Sequence, residues 1–380
     1  MTDKIKVALI IRGFHNGGIE KVYENYYPHM DLSKFEIHVV THMHNIPEKK
    51  QKFEDMGCIV HEFSKMNGLK YTPQNVKEYR AFFRDCHFDV LHNNMPNNNF
   101  LATFYAQKYG VERRILHAHN VYTASDRKVS KLRVAAHQKL FGFHTAMATD
   151  LIGVSRAAGE SVYGKKASEM LFLPNAINVE QFRFDAQRRE QYRTQLGLGN
   201  SFVVGHIGRY ERTNKNQEFA LGVFQKLLEQ RPDSRLLMLG DGTRLDEFKA
   251  MAVQMNIADK VIFTGNVQDV PGYLNAMDAF VLPSRQEGLG IVAIEAQTSG
   301  LYCCLSDKVP QEAKVTDRAT FLPIGPGDQD AWVRELLQHE QDTRRDYSEE
   351  VTQAGYDVKT AAGKLEALYE GVRQKNQQIT

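Results

Sequence analysis

The residues best suited to chemistry lie in the segment PSRQEGLGIVAIEAQTSG, residues 283–300. Seven residues separate Glu287 from Glu295, and Gly288 and Gly290 mark a turn from a strand into a helix. A carboxylate offers two acceptors and no donor, so Glu287 suits sugar hydroxyls and Glu295 suits a ribose diol. The unpaired N–H groups at the start of that helix suit a phosphate. The segment predicts a binding site, although two glutamates at this spacing also occur as incidental surface residues.

A basic segment, GRYERTNKN at 208–216, follows another apolar strand and opens a helix. Arg209 offers a two-pronged fork to a diphosphate and Lys215 offers a point charge, so the pair could stabilise charge on a leaving diphosphate. If both segments serve one site, Arg209 faces Glu287 across the bound diphosphate. Arg212 is a rival to Lys215, and a solvated basic loop is the simpler alternative.

A pair of glycines in FHNGGIEK, residues 14–21, comes directly after the first strand. Gly17 and Gly18 allow backbone N–H groups to approach an anion at the start of a helix. The alternative is a tight turn that binds nothing, because glycine pairs are common in turns.

Two histidines end a further strand, in HAHN at 117–120. A neutral imidazole at a strand end can hydrogen-bond a sugar hydroxyl or stabilise positive charge that develops on the sugar. His119 and His117 are both candidates, and alternation along the strand allows His117 to be a buried structural histidine instead.

These segments belong to a repeated pattern of short apolar runs and longer amphipathic stretches, which indicates parallel sheets with helices on both faces. The pattern restarts after a polar stretch at 183–201. We therefore predict an α/β fold of two doubly wound, Rossmann-like domains facing a central cleft, at 1–180 and 181–356, with a C-terminal helix at 357–374 that returns to the first. The apolar runs lie at 6–11, 36–41, 58–63, 88–93, 113–118, 150–155, 169–174, 202–208, 235–240, 260–265, 279–283, 302–306 and 320–323.

Composition narrows the class of protein. The 380 residues are 42% hydrophobic and 25% charged with a formal net charge of +2, which fits a globular protein that does not bind nucleic acid. Four cysteines without metal-binding spacing predict reduced thiols, and no apolar run reaches the ~20 residues that span a bilayer, so we expect a cytoplasmic protein. Asp328-Gln329-Asp330 reads as a helix start with Asp328 as N-cap, and we predict no metal site.

The segment at 283–300 resembles the E-x7-E signature of retaining GT-B glycosyltransferases of family 4, the glycosyl transferases group 1, and is most similar to the bacterial exopolysaccharide and capsule branch. The resemblance covers residues 5–375. It implies that Glu287 contacts the transferred sugar, that Glu295 holds the ribose, and that His119 lies beside the sugar. It further implies donor contacts from Gly17, Gly18, Arg209, Lys215, Val267 in the base-binding loop, Gly288, Leu289, Gly290 and Ile291.

The resemblance also implies a reaction. A hexose or N-acetylhexosamine would move with retention of configuration from a nucleotide-diphosphate sugar, with UDP-sugars favoured, to a saccharide or polyprenyl-diphosphate-linked acceptor, without metal or cofactor. Two alternatives stay open: a nucleotide-sugar epimerase of the GT-B type, and a non-catalytic nucleotide-sugar-binding protein.

A basic amphipathic helix is predicted over residues 127–143. An apolar seam recurs there at helical spacing, and such a helix can lie on the anionic inner face of the plasma membrane. The alternative is a helix packed on the core with a solvated basic face. The basic residues are Arg127, Lys128, Lys131, Arg133 and Lys139.

Overall fold

The computed structural model describes residues 4–15, 18–43, 45–66, 71–121, 141–211 and 213–377. The chain divides into two compact units, Met1–Ala176 with Val358–Thr380, and Ile177–Asp357. The first unit thus ends at residue 176, where the sequence analysis placed the boundary at 180, and the C-terminal helix is assigned to the first unit.

The first unit contains a parallel sheet of seven strands in the order β3-β2-β1-β4-β5-β6-β7. Pro73–Asp85 is one of the helices that connect these strands. Its N-cap is Thr72, and a capping box between Thr72 and Asn75 fixes where the helix begins. The strands are β1 Ile5–Ile10, β2 Phe35–Thr41, β3 Ile59–Glu62, β4 Val90–Asn93, β5 Arg113–Ala118, β6 Asp150–Gly153 and β7 Leu171–Phe172. The helices are Ile19–Tyr26, Pro47–Asp55, Pro73–Asp85, Phe100–Lys108, Arg156–Tyr163 and Val358–Gln377.

The second unit contains a parallel sheet of six strands in the order β10-β9-β8-β11-β12-β13. The buried Trp332 packs in its core beside β8, β9 and β12 residues. The strands are β8 Val203–Ile207, β9 Arg235–Leu239, β10 Val261–Gly265, β11 Ala279–Leu282, β12 Tyr302–Ser306 and β13 Ala319–Leu322. The helices are Val179–Phe182, Ala186–Gln195, Gln217–Gln230, Leu245–Gln254, Val270–Ala276, Ile291–Thr298, Gln329–Gln338 and Ser348–Gln353.

Both sheets reverse their strand order at a central strand. In the first sheet β1 lies between β2 and β4, and in the second β8 lies between β9 and β11. Loops at the carboxyl ends of strands diverge at such a switch point, and the crevice between them is where doubly wound sheets bind ligands. The loops after β1 and β4, and those after β8 and β11, are therefore where a site is expected in each domain.

Each of the thirteen predicted apolar runs overlaps a strand, but the first and last residues differ. The run at 169–174 forms only the two-residue strand β7, because β7 pairs with a single neighbour, β6, through two residue pairs. Asp328 occupies the predicted N-cap position, yet its side chain does not cap the helix: its Oδ2 accepts the N–H of Gly325 at 2.6 Å.

Two further expectations concern thiols and the membrane. The cysteines Cys58, Cys86, Cys303 and Cys304 are free thiols, and burial raises the pKa of Cys58 to about 12. Within the described ranges, no helix combines the length and the apolar character needed to cross a membrane. Of the predicted basic helix at 127–143, residues 127–140 lie outside the described residues, and 141–147 are helical.

Candidate functional site

The loops after β8 and β11 are tied together at the carboxyl edge of the second sheet. Asn216 has the left-handed φ of 53°, and its Nδ2 donates to the carbonyl of Pro283 at 3.1 Å. Arg285 returns two bonds: its guanidinium donates to Asn216 Oδ1 at 3.0 Å and its backbone N–H donates to the Asn214 carbonyl at 2.7 Å. Segments that are far apart in sequence thereby form one surface.

An ion pair between Lys215 and Glu287 lies on this surface. Lys215 Nζ is 2.7 Å from Glu287 Oε1, and Ser284 Oγ donates to the same oxygen at 2.6 Å. The side chains are 25% and 13% exposed, so the pair is shielded from most of the solvent. Charge-assisted bonds of this kind hold both groups in a fixed orientation. The arrangement offers a cation for phosphate and a carboxylate for hydroxyls side by side.

His206 and Gly208 lie next to the side chain of Lys215, and neither was predicted from the sequence. His206, on β8, is fully buried; its Nδ1 lies 3.0 Å from the Val281 carbonyl, so Nδ1 carries the hydrogen. Burial, with a smaller contribution from the nearby Lys215 charge, lowers the pKa of His206 to about 4. A Cβ built on Gly208 would lie 2.8 Å from Lys215 Cγ, so only glycine leaves room for the lysine stem.

Arg209 is in the same loop but does not contact Glu287. Its side chain is 63% exposed, and its guanidinium lies 3.7 Å from Glu211. Its carbonyl accepts the side-chain amide of Gln217 at 3.0 Å, which fixes the backbone while the side chain stays in solvent. The cation beside Glu287 is therefore Lys215, and the expectation that Arg209 faces Glu287 across a bound diphosphate stays a prediction. Arg212, the rival to Lys215, lies outside the described residues.

The helix Ile291–Thr298 begins where the sequence analysis placed it. Gly290 is its N-cap with φ 88°, and no side chain caps the first turn. Leu289 is buried, so it can offer a ligand only backbone atoms. Glu295 is half-buried one turn into the helix. The backbone of Gly288 to Ile291 thus leads from the loop that carries Glu287 into the start of this helix.

Val267 lies in the loop after β10, two strands away from β8 in the sheet. Its side chain is half-buried between the exposed Asn266 and Gln268. The loop is at the same carboxyl edge as the loop after β8, because the strands are parallel. Its predicted contact with a nucleobase stays a prediction.

In the first domain, His119 lies one residue beyond the end of β5 and is 7% exposed. Its Nε2 is 2.7 Å from Asn94 Oδ1, and its Nδ1 is 3.2 Å from Asn175 Oδ1. Asn94 Nδ2 donates to the Ile10 carbonyl and its Oδ1 accepts the hydroxyl of Tyr23 at 2.8 Å, so Oδ1 must face His119. His119 therefore donates from Nε2 and keeps a lone pair on Nδ1.

The electrostatics of His119 follow from its burial, which lowers its pKa to about 4. The imidazole is neutral at physiological pH and acts through hydrogen bonds rather than through charge. His117 is inside β5, where its Nδ1 is 3.1 Å from His92 Nε2 and its ring is tilted by 35° against that of His119, with centroids 3.9 Å apart. His92 in turn bonds the Tyr369 hydroxyl at 2.7 Å. His117 thus belongs to a buried network, and His119 is the histidine at the strand end.

The glycine pair after β1 is described only in part. Gly18 is the N-cap of the helix Ile19–Tyr26, and a Cβ built on it would meet nothing within 4 Å. The protein itself therefore does not require glycine at this position. Gly17 lies outside the described residues. His15 Nδ1 is 3.4 Å from the buried Glu20, which links the loop to the helix that follows.

Within the ranges that the structure describes, no group of three or more histidine, cysteine, aspartate or glutamate side chains could hold a metal ion. The groups that the site offers to a diphosphate are instead the ammonium of Lys215, the guanidinium of Arg209 and backbone N–H groups. Such groups suit phosphate oxygens.

Comparisons with known proteins find a matching family model and several relatives of this chain. Residues 188–358 match the family model "Glycosyl transferases group 1". The chain is 26% identical over 380 residues to the putative glycosyltransferase EpsF of Bacillus subtilis, covering 96% of each chain. It is also 26% identical over 258 residues to the UDP-Gal:alpha-D-GlcNAc-diphosphoundecaprenol alpha-1,3-galactosyltransferase of Escherichia coli, covering 66% of each.

Solved structures share the fold. The Anabaena HepE structure in complex with UDP superposes with a TM-score of 0.70 at 18% identity, covering 99% of this chain and 98% of that one. A glycosyltransferase from Rickettsia africae superposes with a TM-score of 0.75 at 13% identity, covering 97% and 99%. With two Rossmann-like parallel sheets the chain has the GT-B fold, and its residues 188–358 match the glycosyl transferases group 1.

Proposed function

We propose that this protein is a retaining glycosyltransferase of family 4 that transfers a hexose or N-acetylhexosamine from a UDP-sugar to a saccharide or polyprenyl-diphosphate-linked acceptor in cell-surface polysaccharide synthesis. The observation that carries the proposal is the Lys215–Glu287 pair beside the start of the helix Ile291–Thr298. The names of two relatives support the substrate class, since one is EpsF and another uses UDP-galactose and a diphosphoundecaprenol-linked sugar.

The second domain provides the donor site in this proposal. Lys215, Arg209 and the N–H groups at the helix start bind the diphosphate, and no metal is needed because these groups supply the positive charge. Glu287 accepts hydrogen bonds from hydroxyls of the transferred sugar, and Glu295 accepts those of the ribose. Backbone atoms near Val267 contact the base. The UDP complex of the structurally similar HepE supports a uridine nucleotide.

The first domain contributes His119 to the transferred sugar. Its Nδ1 lone pair can accept a hydrogen bond from a sugar hydroxyl, because Nε2 already donates to Asn94 and the nearby Asn175 Oδ1 has no hydrogen to give. A neutral imidazole tolerates the positive character that develops on the anomeric carbon, whereas an imidazolium would oppose it. Gly17 and Gly18 leave backbone N–H groups near a bound anion.

The chemical step is a front-face displacement. The acceptor oxygen bonds to the anomeric carbon on the face from which the diphosphate departs, and the leaving phosphate oxygen takes the acceptor proton. The glycosidic bond to the diphosphate breaks as the new one forms, so configuration is retained. The enzyme supplies orientation and charge stabilisation, which are sufficient for large rate enhancements.

The proposal is tested by donor binding followed by transfer. A thermal-shift panel of UDP-, GDP- and ADP-sugars should show the largest rise in Tm with one UDP-sugar. That donor, incubated with farnesyl-diphosphate-linked N-acetylglucosamine and excess EDTA, should give a product whose new linkage has the anomeric configuration of the donor. An inverted product would exclude the mechanism, loss of activity in EDTA would exclude metal independence, and a free epimer without acceptor would favour an epimerase.

We further propose that the protein is cytoplasmic and associates with the inner face of the plasma membrane through the basic stretch at 127–143. Phe143, at the end of that stretch, is 58% exposed, as expected of an apolar residue that inserts among lipid head groups. Flotation with vesicles containing anionic phospholipid should recover the protein at low salt. No recovery at low salt would contradict the association.

A further inference from the structure

The loop between β4 and the helix Phe100–Lys108 is rich in asparagine, with the sequence NMPNNN at 94–99. Its flanking asparagines are used by the fold. Asn94 holds His119 and Tyr23, as described above. Asn99 caps the helix by accepting the N–H of Ala102 at 3.2 Å. These side chains are already hydrogen-bonded within the protein and are not available to a ligand.

The loop itself is held rigidly. The N–H groups of Asn98 and Asn99 both donate to the carbonyl of Met95, at 3.0 and 2.9 Å. The hydroxyl of Tyr71 donates to the Asn98 carbonyl at 3.2 Å. A loop fixed in this way keeps its backbone in one arrangement, so that only a side chain has to move when a ligand binds, which limits the entropy lost on binding.

Asn97 is the exception in this loop. It is 3% exposed, and neither Oδ1 nor Nδ2 has a hydrogen-bond partner in the part of the chain that the structure describes. Buried polar atoms are almost always paired, because an unpaired buried amide loses its bonds to water without replacement. A fully unpaired carboxamide therefore needs an explanation, and an isolated fold offers none.

We propose that Asn97 is a specificity-determining residue that binds the saccharide acceptor. Its Nδ2 donates to one hydroxyl oxygen and its Oδ1 accepts from a neighbouring hydroxyl. The amide can turn outward to meet the sugar without breaking a bond, since it makes none. This inference rests on the proposed function, and the class of ligand at this edge of the first sheet is a saccharide.

The chemistry of the Asn97 amide and its position in the fold indicate which class of ligand it binds. A carboxamide is uncharged and offers both a donor and an acceptor, which matches the vicinal hydroxyls of a sugar and not a phosphate. Asn97 is three residues from Asn94, which orients His119, so the loop that holds the proposed sugar-binding imidazole also carries the unpaired amide. The loop follows β4, beside the switch point at β1.

Asn97→Leu tests the proposal because leucine has nearly the shape of asparagine without its polar atoms. We expect the Tm of the full-length protein to rise, since a buried unpaired amide is removed. Affinity for farnesyl-diphosphate-linked N-acetylglucosamine, titrated in the presence of UDP, should fall at least tenfold, while affinity for UDP alone stays unchanged. Asn98→Leu, in the same loop, is the matched control and should leave saccharide affinity unchanged.

Two results would overturn the proposal. A lower Tm for Asn97→Leu would show that the amide is paired by internal water and serves the fold. Unchanged affinity for the saccharide would show that the acceptor does not contact it. Neither measurement needs turnover, so failure of the wild-type protein to transfer any sugar would count against the proposed function and not against Asn97 binding.

Discussion

Lys215 and Glu287 come from loops that follow different strands, 72 residues apart, yet their charged atoms lie 2.7 Å apart. The bonds that Asn216 and Arg285 make between the same two loops hold the pair in place. A ligand that takes a phosphate to Lys215 and a hydroxyl to Glu287 would meet both groups already oriented. The cost of ordering them is then met during folding rather than during binding.

Glu287→Gln should abolish most of the activity without unfolding the protein. The amide keeps the shape but presents a donor where the sugar hydroxyls need an acceptor, and it loses the charge. Because transition-state hydrogen bonds of this kind are worth ~3 kcal/mol, we expect kcat/KM to fall by about 100-fold or more. Initial rates with saturating acceptor provide the measurement. Glu211→Gln, in the exposed loop beside Arg209, is the control and should retain near-normal rates.

Lys215→Met should lower both stability and donor affinity. It leaves the Glu287 carboxylate, which is only 13% exposed, without its cation, at a cost of ~1–3 kcal/mol. Urea denaturation of Lys215→Met, Glu287→Gln and the double variant measures the coupling. The double variant should recover part of the lost stability but no activity. Additive losses of unfolding free energy would show that the two residues are not coupled.

Arg209→Ala should weaken donor binding with little effect on stability. The guanidinium is 63% exposed and its only described ion pair, with Glu211, has a long separation of 3.7 Å, so the fold gains almost nothing from it. We expect the Kd for UDP to rise by about tenfold, the value of one charge-assisted bond. Calorimetric titration of the variant and of Arg84→Ala, an exposed arginine of the first domain that serves as control, measures the difference. Equal affinities for all three proteins would remove Arg209 from the donor site.

Stability should fall as the pH is lowered from about 6.5 towards 4. Burial lowers the pKa of His119, His144 and His206 to about 4 each and that of His92 to about 3. An unfolded histidine has a pKa near ~6.5, so the unfolded chain binds more protons between these values. The stabilisation is therefore complete above pH 6.5 and is lost as pH falls through that window.

Unfolding free energies at pH 7.5, 6 and 5 measure this dependence. His206→Gln should flatten the slope because it removes one buried titrating group, whereas His29→Gln, on the exposed surface, should not. A stability that is constant over this range would contradict the assignment of these histidines as buried and neutral.

Local sequence was enough to predict the strands, since buried parallel strands are continuous apolar runs. It was also enough to place Glu287, Lys215 and Gly290 in the loops of strand-loop-helix units, while their roles as site residues stay predictions. Asn94, His206 and Ser284 were not predicted. Their roles depend on side-chain bonds between strands that are adjacent only in the folded sheet, such as Asn94 to His119 across 25 residues and His206 to Val281 across 75.

The same reason explains why the sequence did not show that Lys215 is the direct partner of Glu287. Spacing along the chain places Arg209 and Lys215 in one loop but does not tell which of them turns inward. The structure decides this through Gly208, whose missing side chain leaves the space that the Lys215 stem occupies. A glycine between a strand and a basic loop was the available signal for an inward-directed lysine.

Gly208→Ala is therefore expected to weaken donor binding, because the added side chain displaces Lys215. The added Cβ would lie 2.8 Å from Lys215 Cγ, 3.1 Å from its Cβ and 3.2 Å from His206 Nε2, all closer than ordinary van der Waals contact. His206 is buried and cannot retreat, so the lysine must move and its ammonium must leave Glu287. We expect UDP affinity to fall by about tenfold, with a loss of stability of ~1–3 kcal/mol from overpacking.

Gly222→Ala, in the helix Gln217–Gln230, is the matched control because its new Cβ would meet nothing closer than 3.7 Å. If Gly208→Ala bound UDP as tightly as Gly222→Ala does, the position of Lys215 would not govern donor binding.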